Sequence, residues 1–352
     1  MIKSLHLQNF TNFQDLKIDF SDKINVIIGE NGSGKTHILK AIYSQYANVK
    51  DTADTDDLVK SLTSKTVNIF KPLDDKLGKL RRHGVAENAS ISADFIRDGR
   101  DDTHLITSFH TNSKNIAVQE STNYAEYNSA PVFIPTKEVL SFMQGFVSLY
   151  NKYELSFDQT YADLCSLLDL PPLKPEQLSP KSKWAMEQLE GVCGGKFIFS
   201  GGGKVTFKTD EDLELSANAM AEGFRKAGVL SRLLENGAIT PGVSGPLIWD
   251  EPEANLNPKL LKLLVSILSE LASQGQQIIL TTHNYVLLKR FDMVDEKLDH
   301  LQVRYHSLFR NPETQQIEVH STDHYDEIRN NPIDEAFESI LNEEILNEIG
   351  EL

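Results

Sequence analysis

Residues 22–40 read DKINVIIGENGSGKTHILK and contain Gly29-Glu30-Asn31-Gly32-Ser33-Gly34-Lys35-Thr36, a complete G-x-x-x-x-G-K-[ST] phosphate loop. No other stretch restricts the fold as strongly. The apolar run Ile24, Val26, Ile27 and Ile28 ends in Gly29, which suits a buried parallel strand. Past Thr36, the residues Ile38, Leu39, Ala41 and Ile42 recur at helical spacing. A strand therefore feeds a glycine turn, and the turn opens a helix. Glycines let backbone N–H groups curl around phosphate oxygens without Cβ clashes. The helix N-terminus adds its partial positive charge. The motif predicts phosphate binding by Gly29, Asn31, Gly32, Ser33, Gly34, Lys35 and Thr36. Lys35 is expected to reach the β- and γ-phosphates of a nucleotide, and the Thr36 hydroxyl to ligate Mg²⁺.

The rest of the composition limits the alternatives. The chain has 352 residues, 40% hydrophobic and 24% charged, which is ordinary for a globular protein with a sizeable core. Its net charge of −16 argues against broad nucleic-acid affinity, which needs clustered Lys and Arg. Lys79, Arg81 and Arg82 form one small basic cluster, read as a solvated helix face. Cys165 and Cys193 offer neither a disulfide framework nor zinc spacing, so a reducing cytoplasm is the expected location. The strand-like MIKSLHL opening lacks the apolar core of a signal peptide, and no apolar run approaches the length of a membrane span.

Taken in order, residues 1–20 predict two strands with a polar turn at Thr11 and Asn12. Residues 51–57 are acidic and predict a surface loop, and 58–82 are helical in parts. Segments 90–95, 105–109 and 116–119 read as strands of an antiparallel sheet, and 130–134 (APVFI) as a buried strand ended by Pro135. Residues 136–169 read as helices, with Val139, Leu140, Met143, Phe146, Val147 and Leu149 on one apolar face. The PPLKP segment at 171–175 breaks the run, and 182–190 is a further helix. A hairpin is expected over 194–208 through three glycines, and an amphipathic helix over 220–234. Buried strands at 245–250 and 277–282 flank a helix at 258–273, where Pro258 suits the first turn. A hairpin over 301–308 and 316–320 and an acidic helix complete the chain.

Two of these strands carry chemistry at their ends. Pro246-Leu247-Ile248-Trp249-Asp250-Glu251 is an apolar strand ending in two acids, the Walker B pattern of a phosphate-loop protein. Asp250 is expected to hold Mg²⁺ together with Thr36, and Glu251 to take a proton from the attacking water. Ile278-Ile279-Leu280-Thr281-Thr282 ends at His283, which leaves the sheet at the edge where the nucleotide residues gather and is read as sensing the γ-phosphate.

GENGSGKT, IWDEPEANLNP and LTTH, in this order, resemble the ATP-binding-cassette ATPase superfamily. The opening LHLQNFTNFQDLKIDF is similar to the first strands of the SMC, RecF and OLD branch rather than of transporters. The resemblance covers both ends and most of the centre; residues 51–195 hold no recognisable motif. It implies an α/β, ABC-type ATPase head with a parallel-core sheet, antiparallel strands and a smaller helical lobe. Residues 1–50 and 235–325 would form the nucleotide lobe, 51–234 the inserted strands, helical lobe and signature segment, and 326–352 a C-terminal helix. ATP and Mg²⁺ are the implied ligands, clamped between two heads that meet head to tail. Asn255-Leu256-Asn257 would be the D-loop, His283 the switch histidine, and the turn flanked by Phe10 and Phe13 would lie near the base. Two stretches compete for the signature segment that reaches the partner's γ-phosphate. Leu215-Ser216-Ala217-Asn218 has the serine but no glycine. Met220-Ala221-Glu222-Gly223-Phe224-Arg225-Lys226 has Gly223 and a helix after it, and is preferred, with Ala221 where serine is usual. The sequence does not place the Q-loop glutamine; the position after APVFIP is a candidate, where Lys137 and Glu138 stand instead.

The resemblance extends to stand-alone ATPases of bacterial antiphage and toxin systems. A homodimer or higher oligomer, gating a separate nuclease or toxin effector, is then expected. A RecF-like clamp acting on DNA is the alternative, although the charge does not support direct DNA binding. A transporter ATPase is disfavoured by the missing LSGGQ and by the N-terminal NF element. Residues 51–195 are expected to carry the specific output, with Phe142, Phe146 and Tyr150 as a partner-docking face.

Overall fold

The structure, a computed structural model, describes residues 1–46, 55–96, 103–124, 130–153, 155–295 and 302–349. A hairpin of β1 (Ile2–Phe10) and β2 (Phe13–Asp19) leads to β3 (Ile24–Gly29), and the phosphate loop connects β3 to α1 (Lys35–Ser44). Helix α2 (Thr55–Phe70) precedes strands β4 (Ala89–Phe95), β5 (Thr103–Phe109) and β6 (Ala117–Glu120). After β7 (Val132–Ile134) come α3 (Phe146–Lys152), α4 (Gln159–Leu168) and α5 (Pro180–Cys193). Strands β8 (Gly195–Phe199), β9 (Val205–Thr209) and β10 (Glu214–Ser216) lead into α6 (Glu222–Glu235). Then β11 (Leu247–Trp249), α7 (Pro258–Ser273), β12 (Ile278–Thr281) and α8 (Tyr285–Asp295) alternate. A hairpin of β13 (Val303–Arg310) and β14 (Ile317–Thr322) precedes α9 (Pro332–Ile349).

The strand that ends in the phosphate loop lies inside a six-stranded sheet of order β14-β13-β3-β12-β11-β7. Its four pairings from β13 to β7 are parallel, and only β14 runs antiparallel. Buried on both faces, β3 is apolar at nearly every position, as central parallel strands require. Alternation along the strands sends side chains to two cores. Ile27, Ile279 and Ile248 join the core shared with the five-stranded antiparallel sheet β2-β1-β4-β5-β6. Val26, Leu280 and Trp249 join the core built with α5, α6, α7 and α8. A small sheet, β10-β9-β8, packs beside α5 and α6. The fold is α/β with a parallel core and antiparallel strands, as the motifs implied. Among the described residues no helix is long and apolar enough to cross a membrane.

Several local readings change. Residues 51–54 lie outside the described residues, but 55–57 belong to α2, whose first turn carries Asp56 and Asp57 where the helix dipole favours acids. Residue 301 also lies outside them. The helix expected from residue 136 starts only at Phe146. The preceding stretch is held irregular by tertiary bonds: Thr136 to Asp250 at 3.1 Å and Glu138 to Arg225 at 2.9 Å. Val139, Leu140 and Met143 are buried regardless, so their periodicity reflects burial, not helix. The rings of Phe142 and Phe146 meet at 5.0 Å, Phe157 lies at 5.1 and 5.2 Å from them, and Tyr150 at 6.1 Å from Phe146. Those aromatics pack on one another, with Phe146 buried and Phe142 and Tyr150 half-buried. Arg81 and Arg82 are likewise no solvated helix face. Arg82 donates to the carbonyl of Asn12 and Arg81 to that of Glu87, so their donors brace backbone.

Candidate functional site

The phosphate loop, the acid pair and the histidine come from three strands that are far apart in sequence but adjacent in the sheet. β3, β11 and β12 end at the same edge, and each delivers its next residues there. The loop's conformation depends on glycine. Gly34 caps α1 with φ +100°, and a Cβ there would stand 2.4 Å from the Phe13 ring. Lys35 is buried, and its ammonium donates to the carbonyls of Gly29 at 2.8 Å and Glu30 at 3.0 Å, folding back across the loop. Burial lowers the Lys35 pKa, opposed by the charges of Glu251, Asp250 and Glu253.

Asp250 is the hub. Thr36 donates its hydroxyl to both carboxylate oxygens, at 3.2 and 3.0 Å. Thr281 donates at 2.6 Å and Thr136 at 3.1 Å. One carboxylate among three hydroxyls is an all-oxygen donor set, the chemistry that suits Mg²⁺. Glu251 stands next to it in the left-handed region, with φ +49°. Its N–H donates to Thr281 Oγ1 at 3.0 Å, and its Oε1 lies 3.3 Å from His283 Nε2. Burial, and then the charge of Lys35, lowers the His283 pKa and favours the neutral imidazole. Glu253 supports the histidine from behind: its Oε1 accepts from the Thr282 hydroxyl at 2.7 Å and from the His283 N–H at 2.9 Å.

The crest of the loop is open. Nothing lies within 4 Å of where a Gly32 Cβ would stand, and the Ser33 hydroxyl is buried without a partner. The residues therefore fit a phosphate chain: room at the crest, an orphan hydroxyl, a lysine and a helix N-terminus. Asn12, from the β1–β2 turn, donates to the Gly32 carbonyl at 3.2 Å. Phe10 and Phe13 beside that turn are fully buried, so neither ring is presented to a base.

Lys35, Thr36, Asp250, Glu251 and His283 thus meet in one place. Gly223 does not join them. It sits in the first turn of α6, and the atoms nearest its missing Cβ belong to Asn255, Leu256 and Leu260. Ala221 is the N-cap of that helix and makes no side-chain cap. The competing Leu215-Ser216 pair lies on β10. Sequence reasoning missed Thr136, Thr281, Glu253 and Asn12. The TTH run and the DEPE run contained two of these as a visible signal; nothing local marks the other two.

A family model described as "AAA domain, putative AbiEii toxin, Type IV TA system" matches residues 56–289, well over half the chain. The chain belongs to this family. Its sequence and fold are similar to those of ABC-type ATPases of the SMC/RecF branch. A stretch of 92 residues is 34% identical to the DNA replication and repair protein RecF of Bacillus cytotoxicus, covering 26% of this chain and 21% of that protein. Another of 80 residues is 39% identical to RecF of Oenococcus oeni, covering 22% and 21%. The chain therefore spans about a fifth of the length of these curated relatives. Among solved structures, the SMC head domain from Thermotoga maritima superposes with TM-score 0.53 at 14% identity, covering 91% of this chain and 98% of that one. The Smc head bound to the C-winged helix domain of ScpA gives 0.58 at 15%, covering 91% and 97%. At such identities the likeness is one of fold.

Proposed function

We propose that this ATPase head binds ATP with Mg²⁺, hydrolyses it, and uses the cycle to close and open a head-to-tail dimer. The observation that carries the reading is the meeting of Lys35, Thr36, Asp250, Glu251 and His283 at one sheet edge. In this reading Gly29, Asn31, Gly32, Ser33 and Gly34 wrap the phosphates with backbone N–H groups. Lys35 leaves the loop carbonyls and pairs with the β- and γ-phosphates. Thr36 and Asp250 hold Mg²⁺, which when bound neutralises phosphate charge. Glu251 accepts a proton from the water aligned on the terminal phosphate. His283, kept neutral, donates to the γ-phosphate from the other side. Gly223 meets the γ-phosphate of the partner head.

The family description, which names a type IV toxin–antitoxin system, supports a place in such a system; an antiphage role, with a nuclease or toxin as a separate cytoplasmic effector, is part of the same proposal. The local identity to RecF favours a second reading, an ATPase acting on DNA. Turnover stimulated by duplex DNA, with binding that weakens steeply as salt rises, would select the second.

The test is a pair of variants. Lys35→Ala should lose nucleotide binding, measured by fluorescent-ATP titration. Glu251→Gln should bind as wild type yet release no phosphate, because an amide cannot accept the proton. Chelating Mg²⁺ should stop wild-type turnover. Wild-type phosphate release by Glu251→Gln would remove Glu251 from the role of base.

A further inference from the structure

One buried cation beside this site, the last residue of the preferred signature stretch, has no part in the chemistry above. Lys226 lies three residues past Gly223 on α6 and is 3% exposed. Its ammonium ends 3.5 Å from the backbone carbonyl oxygen of Glu251. The carboxylates of Glu222, Glu253, Glu251 and Glu138 lie within electrostatic range, offsetting the burial that lowers its pKa.

The partner it has chosen matters. Glu251 adopts a left-handed backbone that non-glycine residues avoid, and Asn255 repeats it at φ +63°. Such a conformation persists only where its surroundings impose it. Three groups do so at Glu251. Thr281, from β12, accepts its N–H at 3.0 Å, and its carbonyl accepts from the Ala254 N–H at 3.2 Å and is approached by Lys226, from α6. From that backbone the Glu251 carboxylate reaches to 3.3 Å from His283 Nε2. A second acceptor lies nearby. Glu253 is 9% exposed, and its Oε2 is buried without a partner. An unpaired buried carboxylate oxygen costs free energy, so a neighbouring ammonium has somewhere to move. The start of α6 also rests on the same loop, since a Cβ on Gly223 would stand 3.0 Å from the Asn255 carbonyl.

We propose that Lys226 is a positioning residue that ties α6 to the backbone of Glu251, so that engagement of α6 by the partner head's nucleotide sets the Glu251 carboxylate in its own head. The proposal rests on the ATPase reading above. α6 is then both the surface that meets the partner's ATP and the lever on the local base.

Two measurements on Lys226→Met and Lys226→Arg test this. The first needs no nucleotide: hydrogen exchange of the amides in 250–256 in the free protein. The methionine variant should exchange at least tenfold faster there, with the strands of the parallel sheet unchanged, and arginine should restore most of the protection. The second is steady-state ATP turnover. Lys226→Met should lose tenfold or more in kcat while KM and fluorescent-ATP affinity stay within twofold, and arginine should recover part of the rate. Unchanged exchange in 250–256 overturns the tie, whether or not the protein hydrolyses ATP. Equal losses in kcat and nucleotide affinity overturn the positioning role and leave general damage. If Lys226→Met does not fold, Lys226→Gln replaces it under the same criteria. A wild-type protein without turnover sinks the ATPase reading instead, a result separate from the exchange experiment.

Discussion

Gly34 stands where the phosphate loop and the first hairpin press together. Its φ of +100° and the 2.4 Å separation between a Cβ and the Phe13 ring leave no place for a side chain. Gly34→Ala must either rotate this residue out of the left-handed region or push a fully buried ring aside. The backbone strain alone is of order 1–3 kcal/mol. We expect a fall in unfolding free energy of about that size by urea denaturation, and loss of fluorescent-ATP binding; an alanine variant with wild-type affinity would show that the loop tolerates another path. The glycines were legible in the sequence because their spacing is fixed within eight residues. The acid hub was only half legible. Asp250 was marked by its strand-end position, but Thr136 reaches it from 114 residues away and Lys226 approaches Glu251 from 25 away. Such contacts are set by which strands are neighbours, and no local pattern encodes that.

The strands themselves were readable because burial on both faces leaves a nearly unbroken apolar run, as in β3, β11 and β12. The stretch from 136 to 145 was not, since burial of Val139, Leu140 and Met143 mimics helical periodicity without the hydrogen bonds. β10 was missed because it has three residues and exposes two of them. β13 hides a different feature. His306 is fully buried, with Nδ1 2.8 Å from Ser321 Oγ and Nε2 3.3 Å from Asn25 Oδ1. Burial, and then the charge of Arg304, pushes its pKa down from 6.5 to about 3, with Asp323 opposing. The folded state therefore holds it neutral while the unfolded chain binds a proton below pH 6.5. Its stabilising effect is complete above that pH and is lost as pH falls through the window toward 3. The slope is at most about 1.4 kcal/mol per pH unit for one group. His306→Gln should lose less unfolding free energy between pH 7 and pH 5 than wild type, measured by urea denaturation at both. Equal losses would assign the acid sensitivity to other groups.

In the proposed dimer each molecule offers half of a nucleotide site. The phosphate loop covers one side of the phosphates, and in the proposed dimer the start of the partner's α6 covers the other. At that helix start Ala221 is the N-cap and contributes no side-chain hydrogen bond, while Glu222 brings a negative charge into the first turn. A serine hydroxyl at position 221 would donate to the γ-phosphate, and a hydrogen bond to a charged group is worth roughly 1.5–3 kcal/mol. In the proposed dimer the clamp would therefore be weak, and we expect the dimer to need a second interface or a partner protein to persist. Glu251→Gln with ATP and Mg²⁺ should accumulate dimer, seen as a doubled mass by light scattering against the nucleotide-free protein. Adding Ala221→Ser to that variant should lower the dimer dissociation constant by about tenfold or more, since 1.4 kcal/mol corresponds to a factor of ten. Gly223→Asp should abolish the ATP-dependent dimer, because its carboxylate would meet both the Asn255 carbonyl and the incoming phosphate. A mass that stays doubled in Gly223→Asp without nucleotide identifies a constitutive interface elsewhere. An unchanged dissociation constant in the Ala221→Ser variant places the γ-phosphate out of reach of α6, and the head-to-tail arrangement then fails.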